Sequence, residues 1–209
     1  MIYELVEDHM PIRQGDIFYP LPIILPTLGQ LAVMSEYGEY EDTKWDIIQD
    51  RDDVLFILPF KKVWGIVATQ DCDASRSPVI SLFEIGTFKE VTNLTLPEKP
   101  PKWVSLITQK SRLNARWFYL PADEEFGFKE RMAVNFHRVF QIQSSDLKQS
   151  MNILRKGRLV DVAYQHYRES IAHYFKRYPY DEWYSLTKEE FDQYNQQNGG
   201  SITPFAWQD

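Results

Sequence analysis

The chain has 209 residues, 44% of them hydrophobic, 25% charged and 15% aromatic, which are globular values and exclude wholesale disorder and fibrous repeats. A single cysteine excludes an internal disulfide framework and a cysteine-based zinc site, and no apolar run approaches the roughly 20 residues of a membrane span. The net charge of -7 is uneven: residues 1–60 hold 3 basic and 12 acidic side chains against 20 and 18 in the remainder, a field that repels nucleic acid.

The amino terminus opens acidic rather than basic-then-apolar, unlike a secretory signal, so the expectation is a cytoplasmic chain without membrane contact. Residues 12–19 predict a short strand entered through a Gly15-Asp16 turn. It is halted by Pro20, Pro22 and Pro26, because proline cannot donate to a central ladder. Residues 28–35 predict a second strand or its continuation. The segment 36–53 carries eight carboxylates against Lys44 and Arg51. It reads as a solvated acidic insertion or as a surface for a partner. The apolar runs 54–60 and 63–69, split by Lys61-Lys62, predict a buried hairpin, and 79–85 another buried strand.

Residues 93–104, with Pro97, Pro100 and Pro101, read as loop. Strands follow at 117–120 and 133–142, where the alternation of Val134, Phe136, Phe140 and Ile142 breaks at Arg138. Five or six short strands without intervening helices predict a small, strongly curved antiparallel β-barrel. After Ser145 the period changes. Leu159, Ala163, Tyr167, Ile171, Tyr174 and Tyr178 recur at three and four residues, predicting a helix whose aromatic stripe docks onto the barrel and which Pro179 stops. A capping box from Thr187 to Glu190 signals a second helix, ended by Asn198-Gly199-Gly200. The fold class is therefore α+β: a barrel domain over 1–145 with the acidic insertion at 36–53, then a helical extension and tail over 146–209 packed on the barrel.

The most distinctive string is Gln70-Asp71-Cys72-Asp73, followed by Arg76, at the end of an apolar strand. In an extended conformation Asp71 and Asp73 share a face and Cys72 points the other way. Two such carboxylates could hold a hard divalent cation, but Ile85-Gly86 follow Glu84 where a metal nuclease has Glu-x-Lys. The expectation is a capped turn or a protein-contact loop, with no metal and no cofactor. Gln70, Asp71, Asp73 and Arg76 are candidate binding residues, with Tyr167, Tyr174 and Phe175 on the helical stripe. Cys72 is expected to be buried, as lone cysteines usually are. Phosphate loops, the dinucleotide fingerprint and the serine elbow are absent. Lys110, Arg112 and Arg116, beside Trp117 and Tyr119, form a basic-aromatic group that suits single-stranded RNA or a solvated face.

Gly15-Asp16-Ile17-Phe18, a strand rising through residues 64–69, a second buried strand, a late strand and a C-terminal helix together resemble the MazF/PemK toxin barrel over residues 10–145. Gln14-Gly15-Asp16-Ile17, Gln70-Asp71-Cys72-Asp73 and residues 167–177 also resemble a group of prokaryotic proteins associated with mobile-element and phage-defence gene neighbourhoods. The toxin family places a catalytic Arg before its central strand and a Thr or Ser after the next; Lys61-Lys62 and Thr87 stand there in this chain. By the resemblance, a ribonuclease would use Lys62, Thr87, Arg112 and Arg116. Lysine, however, lacks the planar fork that clamps a phosphoryl group. The expected function is a non-catalytic interaction or regulatory module of a prokaryotic multi-protein system, with another protein as partner. The alternative is a sequence-selective endoribonuclease.

Overall fold

Alternating apolar side chains run through the antiparallel strands of a computed structural model, which describes residues 2–25, 27–34, 38–52, 54–92 and 116–176 with 192, 193 and 196. The strands are β1 (Tyr3–Glu4), β2 (Asp16–Ile24), β3 (Leu31–Met34), β4 (Tyr40–Thr43), β5 (Phe56–Ile57), β6 (Phe60–Val67), β7 (Val79–Thr87), β8 (Trp117–Leu120), β9 (Met132–Gln143) and β10 (Arg155–Leu159). Short helices intervene: α1 (Trp45–Ile48), α2 (Asp71–Ala74), α3 (Phe88–Thr92), α4 (Ser144–Gln149) and α5 (Met151–Leu154). A longer helix, α6 (Asp161–Phe175), follows β10. No helix among the described residues is long and apolar enough to cross a membrane. The chain divides into two units, Met1–Phe175 and Lys176–Asp209. In the second, residues 192, 193 and 196 are helical, while the capping box expected at Thr187 lies outside the described residues, as does the loop expected at 93–104.

The α+β class and the large antiparallel sheet are as expected. Seven strands run in the order β1-β10-β2-β6-β7-β9-β8, and three form a smaller sheet, β4-β3-β5. Closure into a barrel is another matter. No ladder joins β1 to β8 among the described residues. The two edges meet through side chains instead: the Tyr3 hydroxyl donates to the carbonyl of Pro121, just past β8, at 2.8 Å. The Tyr3 ring also stacks on Phe126, centroids 4.5 Å apart.

Period-2 alternation sends neighbours to opposite faces, and both faces of the large sheet are covered. Ile17, Ile66, Phe83 and Phe136 pack on one side with Tyr167 of α6. Phe18, Val67 and Leu82 pack on the other with Leu147 of α4. Burial on both sides explains why 63–69 and 79–85 read as nearly unbroken apolar runs.

Four expectations change, each for a local reason. β2 runs through its prolines: a bulge between Phe18 and Leu21 takes in Pro20, and β10 covers only Asp16 to Phe18. Pro22 therefore lies where the far edge carries no ladder, and its missing N–H costs nothing. The hairpin expected over 54–69 is absent. β5 pairs with β3, not β6, Pro59 separates the two, and Leu55 and Phe60 are more than half exposed. The described part of the acidic insertion carries β4 and α1, and Ile48 of α1 joins Leu31 and Val33 in a small core with Val54, Phe56 and Leu58 packed against it. Lastly, residues 155–159, within the helical extension expected from 146 and ending on the first residue of the expected stripe, form β10, between β1 and β2. Gly157 sits there at φ 150, unsuited to a helix, and any Cβ would meet the Glu4 carbonyl and the Phe126 ring. The break expected at Arg138 is real: between Phe83↔Val139 and Glu84↔Asn135 the register shifts, leaving Phe136, His137 and Arg138 bulged.

Candidate functional site

Three strings that stand out in the sequence come together at one end of the large sheet. Gly15, at φ 88, closes a turn in which the Asp16 N–H donates to the Arg13 carbonyl; the left-handed backbone favours glycine there. The turn docks onto the end of β6, where the Gly15 N–H donates to the Val67 carbonyl at 3.0 Å. Gln14, almost fully buried, adds a side-chain donation from Nε2 to the Ala68 carbonyl at 2.7 Å. Its backbone N–H donates to Asp71 Oδ1 at 2.8 Å.

Asp71 is also where α6 arrives. The Tyr164 hydroxyl donates to Asp71 Oδ2 at 2.9 Å, and the Tyr167 hydroxyl, one turn on, donates to the Val67 carbonyl at 3.2 Å. The guanidinium of Arg13 lies 4.9 Å from the Tyr164 ring centre and that of Arg168 5.3 Å, within cation–π range. Arg13 also donates to the Leu159 carbonyl at 2.8 Å. Burial, then the hydrogen bond to Asp71, pushes the Tyr164 phenol up. Complete burial pushes Tyr167 well above the ordinary tyrosine value.

Asp16, beside this cluster, faces inward. Its carboxylate lies 2.8 Å from Arg158 Nε and accepts from Arg158 Nη2 and Arg155 Nη1, each at 3.3 Å, and from the Arg13 N–H at 3.2 Å. Burial pushes its carboxyl up, against the pull of Arg158. Arg155 in turn donates to the carbonyls of Glu7, Asp8 and Met10, so the Gly-Asp motif anchors the amino-terminal segment to β10.

No family model matches the chain, and no curated protein matches it.

The other sequence-derived residues fall into place differently. Asp71 and Asp73 do not share an extended face, because 71–74 is a helical turn. Asp71 is engaged inward, whereas Asp73 joins Thr69, Arg76, Ser77, Ser81 and Gln141 around a shallow polar groove of about 550 Å³. Cys72 is exposed, not buried: Ala74 supplies the turn's apolar anchor, and Arg76 Nε and Ser75 Oγ both donate to the Cys72 carbonyl. Gln70 is exposed. Among the described residues, no three His, Cys, Asp or Glu side chains are grouped to hold a metal ion.

Of the residues a ribonuclease would use, Arg112 lies outside the described residues. Lys62 is exposed and paired in register with Pro22, and Arg116 is exposed at the start of β8. Thr87 caps α3: the Glu90 N–H donates to Thr87 Oγ1 and the Thr87 N–H to the Glu90 carboxylate, both at 3.2 Å, a reciprocal capping box. On the stripe, Tyr167 is core, Tyr174 packs against Phe136 and His137, and Phe175 is largely exposed.

Sequence reasoning missed Tyr164, Arg155, Arg158 and Lys61. The last, with Arg138, flanks the nearly buried Glu84 at 3.4 and 2.9 Å. A usable signal existed for Tyr164, which lies three residues before Tyr167 and so on the same helical face.

Proposed function

We propose that the chain is a non-catalytic interaction module, a cytoplasmic regulatory part of a prokaryotic multi-protein system of the phage-defence or toxin–antitoxin kind. The observation that carries this reading is the distribution of exposed apolar surface. Ten of the sixteen large hydrophobic side chains exposed among the described residues lie between residues 24 and 60, on the small sheet and the segments that reach it. Single exposed apolar residues are ordinary, but a concentration of them beside charged groups is what partner surfaces look like. The distinctive carboxylates give secondary support. Asp16 and Asp71 each accept from backbone and side-chain donors within the fold, and Thr87 is engaged in a helix cap.

Kinship with the MazF/PemK barrel belongs to the same proposal. The seven-stranded sheet whose edges meet at Tyr3 and Pro121 supports it, as do the motifs at residues 14–17 and 70–73. The endoribonuclease alternative draws on the exposure of Lys62 and Arg116. An RNA-cleavage assay separates the two. The purified wild type is expected to leave single-stranded RNA intact. Turnover that a Lys62→Ala, Arg112→Ala, Arg116→Ala triple variant loses would put the ribonuclease first.

A further inference from the structure

We propose that the outer edge of β4 receives an extended, basic segment of another protein as an added strand. This rests on the interaction reading above and assigns the partner's chemistry.

Four observations converge on that edge. β4 forms a ladder with β3 alone among the described residues, so its other side is open to backbone hydrogen bonding, the mode by which extended segments join exposed sheet edges. One face of the small sheet joins apolar side chains to a carboxylate: Tyr40 is registered opposite Met34, and Ala32 lies between Asp42 on β4 and Ile57 on β5. Tyr40, Met34 and Ile57 are 73%, 42% and 40% exposed, so each of the three strands shows one apolar side chain on this face, and Tyr40 stands at the edge beside Asp42. An incoming strand would extend this face with every second side chain.

The charge is one-sided. Residues 38–52 hold six carboxylates against Lys44 and Arg51, and two of them, Glu41 and Asp42, are exposed on β4 itself. Asp42 shares the Tyr40 face and Glu41 the opposite one. A partner strand with Lys or Arg at the facing positions gains attraction on both faces, and the surrounding carboxylates speed its encounter. The same charges argue against a second copy of this chain as the occupant. Two β4 edges brought together would set carboxylates against carboxylates, which is how natural sheets keep edges from pairing with themselves.

The test uses three synthetic peptides of equal length with Val and Tyr at alternate positions and Lys, Ser or Glu between them, titrated by fluorescence anisotropy into the full chain. The Lys peptide is expected to bind and the Glu peptide not to, and added salt should weaken binding. A Glu41→Lys, Asp42→Lys double variant, checked for an unchanged melting profile, should bind the Lys peptide about tenfold more weakly. N-methylation of alternate peptide amides should abolish binding, because it removes the strand's donors. Equal binding of all three peptides, or indifference to the variant or to N-methylation, would overturn the proposal. So would a concentration-dependent dimer, by light scattering, that Tyr40→Lys dissolves, since the occupant would then be a second copy. The interaction reading can outlive this failure. A native partner captured equally by wild type and the double variant, and lost on Phe175→Ala, would place its contact on α6 and not on β4.

Discussion

Asp71 accepts one hydrogen bond from the Gln14 N–H and one from the Tyr164 hydroxyl, so a single carboxylate ties the β2 turn and α6 to the end of β6. Removing the hydroxyl leaves one of those acceptor positions to water, because Asp71 is itself exposed. Tyr164→Phe is therefore expected to lower stability by about 1 kcal/mol in urea unfolding. A cycle with Asp71→Asn should show coupling of the same order. Asp16 is a heavier case. It is fully buried with two guanidinium groups, and Asp16→Ala leaves both without their counter-charge, at about 3–5 kcal/mol. Gly157→Ala should cost as much or more, since its Cβ would be driven into the Glu4 carbonyl. At this scale the sequence was half legible. Gln14, Asp16 and Asp71 stand out as motif letters, but their partners do not. Tyr164 hides in a stripe that reads as core, and Arg155 and Arg158 hide in a segment that falls within the expected helical extension.

Elements with a clean period were read well, and elements that owe their conformation to neighbours were not. β7, β8 and β9 fall where alternation puts them, and even the bulge at residues 136–138 announces itself as a skipped beat. β10 does not, because five residues containing two arginines and a lysine carry no apolar alternation. Its strand conformation comes from the ladders with β1 and β2, and Arg155 adds side-chain hydrogen bonds to the amino-terminal segment. β3 falls within the strand expected at 28–35, but β4 and α1 escaped notice because carboxylates outnumber the apolar residues around them, of which Ile48 joins Leu31 and Val33 in the small core. Helix α3 offers a direct check on the role of Thr87. As one half of a capping box, Thr87→Ala should cost about 1 kcal/mol of stability by chemical denaturation. It should leave peptide binding at β4 unchanged.

Across the molecule, the buried phenols set the alkaline limit. Tyr3, Tyr164 and Tyr167 all have pKa values raised first by burial. The native state therefore keeps protons that the unfolded chain releases near the ordinary value of 10.0, and stability falls with rising pH wherever the native state holds more protons. Below that value these groups contribute fully; above it their contribution is lost progressively. Melting temperatures should stay level with respect to tyrosine up to about pH 10 and then decline. Phenolate absorbance should show a class of tyrosines that titrates only when the protein unfolds. If every tyrosine titrated freely in the native state, the burial of these three would be refuted.

The partnership of β1 and Asp16 with β10 also bears on how the protein comes off a ribosome. Tyr3 pairs with Leu159, and Asp16 finds its guanidinium partners 139 and 142 positions later. β1 and the Asp16 carboxylate thus lack these partners until β10 has been made, and such distant pairings slow folding. The nascent chain must hold β1, with its core residue Tyr3, unpaired until β10 is made, a window in which aggregation competes. A product stopped after Leu154 would lack β10 altogether. We expect such a fragment to show no cooperative melt, in contrast to the full chain, and to be degraded in the cell. Interrupted synthesis would then leave no folded stump able to occupy the partner in place of the complete protein.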